Sequence, residues 1–495
     1  MGKSLKILYV ASECYPYAKE TGVADVAAAL PIALRELGHD IRVIIPKYGC
    51  VSERKTKIHD INRLRDIEVD MGNGHSEILI AKSTAIATSK IRVQCYVVTN
   101  GRYFENYKGI YHEPTKWTEY PDNLERFMFF SRATLETCIM LGWYPDIIHC
   151  NDWQTALIPA YIHYLYPHKF RKTKSVLTIH NISSQGEYPL TDFKTLCLPE
   201  DAKDSFTHKK KLNILKGGIL YANQVTTVSP SYLEQITKDK DLTNGLNTLL
   251  KLNENRIEGI ANGIDTAQWN PAFDEFLPHK LSDDVIEFKT LNKKVLCKHC
   301  SLQFKEDLPV MGMVTRIDTQ KGVDVLVDAM NDLMALDFQL IILGQGDAEL
   351  KTKLLQCQKK YPKKLSVKLE FNDELSHLIE AGSDMYLMPS RQEGCGLNLL
   401  YSMAYGSVPI VNLTGGIKDN AVPMLKEYKD GDNSVAMKSL TPKDLVAAVK
   451  RTIEAYHDKE VWYRLIENAI NGDYGWQKSA LKYDEVYRKT SKDTE

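Results

Sequence analysis

The chain alternates short apolar runs with longer amphipathic stretches, breaks off, and then starts the alternation again. Few folds accept that pattern. Runs of about five apolar residues between turn signals read as strands buried on both faces, and the amphipathic stretches read as helices covering a parallel sheet. Residues 6–11 are the first strand, 23–37 a helix closed by Gly38, and 41–45 the next strand, which together make a βαβ unit. Further strands are expected at 91–98, 146–149, 175–179 and 224–228, with a long helix at 123–142. Residues 251–283 are rich in Asn, Gly, Pro and Asp and mark the break. After it come strands at 310–314, 339–343, 365–371, 385–388 and 408–411, and a helix at 321–334. A helical tail covers 441–487 and includes a crossing back to the first half. Two such α/β domains facing one another form a deep cleft, with ligands expected beyond the carboxyl ends of the strands.

Composition narrows the classes. A chain of 495 residues is too long for one typical domain. Apolar residues make up 43%, enough for real cores, and the formal net charge of -1 gives no support for bulk nucleic-acid binding. The apolar run that follows Lys6 is soon ended by Glu13 and Pro16, so it reads as a strand and not as a signal peptide. No stretch approaches the roughly 20 apolar residues of a membrane span. The ten cysteines are scattered. Cys297 and Cys300 form a CxxC within a helical pattern, with no second pair at zinc spacing, so thiols and no metal site are expected. A cytoplasmic location is the expectation.

The densest chemistry lies at 388–396, MPSRQEGCG, after the apolar run 385–388. A strand, a glycine turn and a helix N-terminus make an anion site from backbone geometry. Glu393 beside it can receive sugar hydroxyls, so the pairing suggests a sugar nucleotide or sugar phosphate. Arg316 and Lys321 follow the strand at 310–314 and suit a diphosphate, one as a fixed fork and one as a mobile point charge. Their bland reading is two surface cations. Gly344-Gln345-Gly346 and Thr414-Gly415-Gly416 are glycine turns that either admit a ligand to the backbone or simply turn tightly. His149, Asp152 and Trp153 are placed in a loop and helix start, where Asp152 either caps the helix or serves a site. His180-Asn181 ends the strand at 175–179, with Gln185 beyond, and Lys19 precedes the first helix. No Ser-His-Asp arrangement, HExxH motif or hydrolase carboxylate pair is readable.

Taken together, these segments resemble the glycogen and starch synthases of the bacterial and plant type. The likeness runs from about Lys6 to about Tyr487. It rests on HCNDWQTALIP at 149–159, HNISSQGEY at 180–188, ANGIDTAQWNP at 261–271 and PSRQEGCGLNLLYSMAYGSVPIV at 389–411. TVSPSYLEQI at 227–236 and RIDTQKG at 316–322 support it. The resemblance implies a GT-B fold of two Rossmann-like domains about an interdomain cleft. It places an acceptor-side domain at 1–265, a nucleotide-sugar domain at 275–470 and a returning helix at 471–490. It also implies a retaining glucosyltransferase that moves glucose from a nucleoside-diphosphate glucose, ADP-glucose favoured over UDP-glucose, to the nonreducing end of an α-1,4-glucan. The partners are then an α-glucan or maltooligosaccharide and the sugar nucleotide, with no nucleic acid, no membrane, no cofactor and no obligate metal.

By the same resemblance, Arg316 and Lys321 grip the donor diphosphate and Glu393 receives glucose hydroxyls. Cys395, Gly396, Leu397 and Asn398 seat sugar and phosphate at the helix start. His180 bonds near the glucose 6-hydroxyl and Asp152 orients the acceptor side. Lys19 and Gly22 approach the donor phosphate. Asp25, Asn181, Gln185, Asn262, Thr414, Gly415 and Gly416 match supporting positions. No long-lived covalent intermediate is implied; the departing phosphate takes the acceptor proton on the same sugar face.

The chain departs from the family pattern at several of these places. Its first loop reads Lys19-Glu20-Thr21-Gly22-Val23 where the family has Lys, any residue, Gly, Gly, Leu. Thr21 puts a Cβ where backbone should approach the donor, and Glu20 adds an acid near a diphosphate. Ser184 stands for an aromatic, Gly394 for a proline and Gln235 for a glutamate. Two readings follow. One is an active synthase, with this or an altered donor or a small acceptor. The other is a weakened or inactive homologue that binds glucan or protein.

Overall fold

The computed structural model describes residues 3–72, 74–370 and 372–492. The chain divides into two compact units, one of residues 1–262 with 476–495 and one of residues 263–475.

In the first unit the strand Lys6–Val10 lies at the heart of a ten-stranded sheet. The order along the sheet is Ile257–Gly259, Gln224–Thr227, Lys174–Ile179, Ile147–Asn151, Lys6–Val10, Asp40–Pro46, Arg92–Thr99, His75–Ala87 and His59–Asp60, with Ile67–Gly72 paired to His75–Ala87. The first seven run parallel; His75–Ala87 returns antiparallel. The helix Val23–Glu36 buries Val23, Val26, Ala27, Leu30, Ala33 and Leu34, the spacing that keeps one face on a sheet. Strand order reverses on either side of Lys6–Val10: later strands add on one side from Ile147–Asn151, earlier ones on the other. The loops leaving these two neighbouring strands diverge there and open a crevice.

The second unit repeats the plan with seven parallel strands. Their order is Leu365–Lys368, Gln339–Leu343, Val310–Val314, Met385–Met388, Val408–Val411, Ser434–Ala436 and Pro423–Met424. The reversal falls between Val310–Val314 and Met385–Met388. Residues of the second half of the break, from 263 on, are anchored to this unit by a buried aromatic stack. Trp269 lies between His377 and Tyr401 at centroid distances of 3.8 and 3.7 Å. Below it, the Asp274 carboxylate meets His377 Nδ1 and the Tyr405 hydroxyl, each at 2.6 Å.

Most expected elements are present, with instructive differences. The strand expected at 365–371 stops at Lys368, and residue 371 lies outside the described residues. The helix expected from Lys321 begins at Val323 instead, because Gly322 takes φ +73° and packs where an added Cβ would sit 1.9 Å from the Pro389 carbonyl oxygen. Lys321 is therefore a loop residue. The long strand His75–Ala87 escaped the periodicity reading because Ser, Glu, Lys and Thr interrupt its apolar residues and only alternate positions such as Leu79 and Ala81 are buried. His149, expected to close the strand at 146–149, lies inside the strand Ile147–Asn151, which runs two residues further, and is fully buried.

The tail forms three helices, Pro442–His457, Lys459–Ile470 and Gln477–Lys492, and the last belongs to the first unit. His149 secures it: its Nδ1 lies 2.6 Å from the Tyr487 hydroxyl and its Nε2 2.5 Å from the Thr178 hydroxyl. Among the described residues no helix is long and apolar enough to cross a membrane.

Removing the Tyr487 hydroxyl leaves a buried imidazole nitrogen without its partner. Tyr487→Phe is therefore expected to destabilise the first unit by about 1–3 kcal/mol in denaturant titrations. An unchanged midpoint would show that the tail helix is held by packing alone.

Candidate active site

In the second unit the reversal point gathers charge. Lys321 Nζ lies 2.8 and 2.7 Å from the two Glu393 oxygens, and the Ser390 hydroxyl donates to the same carboxylate at 3.1 Å. The Lys321 amide donates to Asp318 at 2.8 Å, which fixes the loop from which the lysine reaches. Arg316 is held by Asp318 at 3.1 Å and by Gln320 at 3.1 Å and stays partly exposed. Beside them the helix Leu397–Ala404 starts at Gly396, with φ +82° and no side-chain cap. The amides of that first turn, including those of Leu397 and Asn398, form the positive end of a helix dipole. Asn398 turns its side-chain amide inward, onto the Val314 carbonyl and, at 3.2 Å, the Tyr386 hydroxyl. It shapes the helix start and does not reach out from it. Cys395 is buried.

The two glycine turns are closely packed. Gly416 donates its amide to the Glu393 carbonyl at 3.0 Å, and an added Cβ would lie 2.3 Å from the Gly394 carbonyl oxygen. The Thr414 hydroxyl donates to the Arg391 carbonyl at 3.1 Å. Thr414, Gly415 and Gly416 thus brace the loop of Glu393. The turn at Gly344 closes against Thr315 and Ile317 in the same way and supports the Arg316 loop.

In the first unit the reversal point holds the loop after Lys6–Val10 and the end of Ile147–Asn151. Asp152 sits there in a strained backbone, φ +55° and ψ −174°. It caps no helix. Its carboxylate instead accepts the amides of His180 at 2.7 Å and Asn181 at 3.3 Å, and burial pushes its pKa up to about 7. His180 Nε2 lies 2.8 Å from Asn151 Oδ1. The Asn151 amide nitrogen donates to the Val10 carbonyl at 2.9 Å, so Oδ1 is the acceptor and His180 carries its proton on Nε2. Burial pushes the imidazole down to about 3. It stays neutral at ordinary pH, and Nδ1 keeps a lone pair.

Lys19 pairs with Asp25 at 2.8 Å, and Gly22 forms the helix N-cap with φ −67°. Thr21 is not among the residues with positive φ, so its Cβ brings no left-handed strain to the loop. Glu20 does not face the loop's own lysine. Its carboxylate meets His112 Nδ1 at 2.5 Å and the Tyr111 amide at 3.2 Å. Gln185 has both ends engaged, by Asn213 at 2.7 Å and by the Ile182 and Thr243 carbonyls, so it holds the His180 loop. Asn262 is buried at the edge of the unit.

The sequence reading missed three contributors: Asn151, which sets the tautomer, Asp318, which fixes the lysine loop, and Glu13. Glu13 is fully buried behind the Lys19 loop, and burial pushes its pKa up to about 7. An acid one residue before a cysteine, just past an apolar strand, was the available signal. Among the described residues no cluster of three or more His, Cys, Asp or Glu could hold a metal ion.

Comparison with known proteins places this geometry. A family model described as the starch synthase catalytic domain matches residues 6–252, and one described as glycosyl transferases group 1 matches residues 298–471. The glycogen synthase of Chlorobaculum parvum is 37% identical over 489 residues, covering 98% of this chain and 99% of that protein. That of Syntrophotalea carbinolica is 36% identical over 495 residues, covering 98% and 99%. The solved catalytic domain of starch synthase IV from Arabidopsis thaliana, bound to ADP and acarbose, matches with a TM-score of 0.88 at 28% identity over 99% of this chain and all of that one. A sucrose-phosphate synthase from Thermosynechococcus elongatus, at 14% identity and a TM-score of 0.61, shares the fold. The chain belongs to the glycogen and starch synthase family of GT-B glycosyltransferases.

Proposed function

We propose that the donor is ADP-glucose and that Lys19, Asp152 and His180 of the first unit and Arg316, Lys321 and Glu393 of the second take part in its transfer. The family moves glucose from a nucleoside-diphosphate glucose to an α-1,4-glucan, and this chain is an enzyme of that kind. The observation that carries the reading is the Lys321–Glu393 pair beside Arg316 and an uncapped helix start. A diphosphate takes the two cations and the helix amides; Glu393, released from part of its bond to Lys321, accepts glucose hydroxyls. ADP follows from the starch synthase IV relative, which was solved with it.

The positive groups then offset charge as the diphosphate leaves, work that needs no obligate metal. His180 presents Nδ1 as an acceptor, which suits a sugar hydroxyl and not a charged phosphate. Asp152 orients the incoming 4-hydroxyl. The departing phosphate accepts that hydroxyl's proton and the new bond forms on the face just vacated, which retains configuration. Water must be kept out, because the same step with water is hydrolysis.

A purified-protein matrix tests the reading: ADP-glucose and UDP-glucose, each with glycogen, maltooligosaccharides or no acceptor. The expected result is ADP release coupled to glucan growth with ADP-glucose. Release with UDP-glucose alone would overturn the donor assignment. Lack of growth with either donor would favour the binding-protein reading that the departures at Thr21, Ser184 and Gly394 leave open.

Glu393→Ala is expected to lower kcat by about 100-fold or more with the circular dichroism spectrum intact. Comparable rates in variant and wild type would remove Glu393 from its role.

Burial sets the pH response. Asp152 titrates near 3.9 when unfolded and at about 7 when folded, coupled to Glu13. The native state binds the extra proton between those values, so the stability this contributes is present below about pH 4 and is lost as pH rises through about 7. The ionised form is the one that orients an acceptor, so activity moves the other way and rises through the same window. Asp152→Asn should flatten the pH dependence of stability. An NMR titration in which the His180 imidazole protonates near 6.5 would contradict its neutral state.

A further inference from the structure

We propose that Thr21 is a positioning residue for donor binding, acting through the buried Glu13 carboxylate to fix the loop that carries Lys19. The inference rests on the donor site proposed above and concerns a position where this chain departs from its family's glycine.

The Thr21 hydroxyl has two partners. It donates to Glu13 Oε1 at 2.5 Å and accepts the Val23 amide at 3.2 Å, at the start of the helix Val23–Glu36. Glu13 Oε2 accepts the amides of Glu20 at 2.7 Å and Thr21 at 2.8 Å. One buried carboxylate therefore holds both peptide units that follow Lys19. Its other oxygen also accepts the Tyr111 hydroxyl at 2.9 Å, and that hydroxyl meets the Ser12 hydroxyl at 2.6 Å. The Tyr48 hydroxyl donates to the Ser12 carbonyl at 2.7 Å. The cradle is closed by residues of three separate chain segments.

Glu20 latches the same loop from its outer side. It holds His112 and the Tyr111 amide, and His112 in turn stacks on Trp117 at 5.0 Å with ring planes 4° apart. The loop 19–22 is thus pinned inward by Thr21 and outward by Glu20. A glycine at position 21 would bring the backbone close but leave Glu13 one donor short and the loop free to move. Thr21 exchanges closeness for rigidity. The amides of Glu20 and Thr21 are turned to Glu13, and the family resemblance brings the donor phosphate to Lys19 and Gly22. Where Lys19 stands is then set by the latch.

The test measures donor KM, kcat, ADP affinity by calorimetry and melting temperature for wild type, Thr21→Val, Thr21→Ser and Glu20→Ala. Thr21→Val keeps the shape and removes the hydroxyl. It should raise donor KM and the ADP dissociation constant by about tenfold, with kcat at saturating donor changed by less than about threefold. Thr21→Ser should restore both to within about twofold of wild type, since it returns the donor. Glu20→Ala should weaken ADP binding in the same direction. A Thr21→Val protein that melts earlier but binds ADP and donor as wild type does would overturn the proposal. If Thr21→Val does not fold, Glu20→Ala carries the test, and unchanged ADP affinity there overturns it. Failure of the wild type to transfer glucose at all would count against the proposed function instead, and the ADP affinities would still read the latch.

Discussion

The reversal of strand order within a parallel sheet governs both halves of this molecule. On either side of Lys6–Val10 in one unit, and of Val310–Val314 in the other, successive crossovers lead to opposite faces. Loops at those points are pushed apart and leave backbone amides and side chains at the carboxyl edge without a covering neighbour. Most of the proposed site residues follow strands at these two points, and His180 follows the adjacent strand Lys174–Ile179. Arg316, Lys321 and Glu393 leave the strands Val310–Val314 and Met385–Met388, and Lys19 and Asp152 leave Lys6–Val10 and Ile147–Asn151. The helices and the tail keep the sheets covered so that these edges stay open.

Burial then decides the charge each group carries. Asp152 and Glu13 lie where a carboxylate loses much of its hydration, and hydrogen bonds from backbone amides only partly restore it, so both titrate near neutrality. His180 and His149 are driven the other way and stay neutral. The two imidazoles nonetheless have different work. His149 has both ring nitrogens engaged and ties a strand to the tail helix, whereas His180 has one nitrogen committed to Asn151. The strained backbone at Asp152 fits the same logic. An unfavourable conformation persists because the amides of His180 and Asn181 and the Thr178 carbonyl over-determine it.

The departures from the family pattern also find physical places. Thr21 and Glu20 do not add a stray methyl and a stray charge to a phosphate loop; they turn toward Glu13 and His112. Gly416 packs so closely on the Gly394 carbonyl that a Cβ on Gly416 would not fit, but nothing in the structure explains the glycine at 394 itself. Thr21 and Glu20 are therefore coupled to neighbours and are not scattered losses. Nothing in the structure explains Gln235.

The sequence by itself determined the two-fold α/β plan and most of the strands, because local periodicity and turn residues reflect which faces are buried. It also determined which residue types could grip a sugar nucleotide, since Arg316, Lys321 and Glu393 stand just beyond apolar strands. Tertiary structure alone decided their states. The Lys321–Glu393 pair joins residues far apart in the chain, the His180 tautomer depends on an asparagine whose orientation is set by a third strand, and Glu13 acquires its role only by being covered. No local pattern encodes desolvation or the direction of a side-chain amide, because both are properties of what the rest of the chain brings alongside.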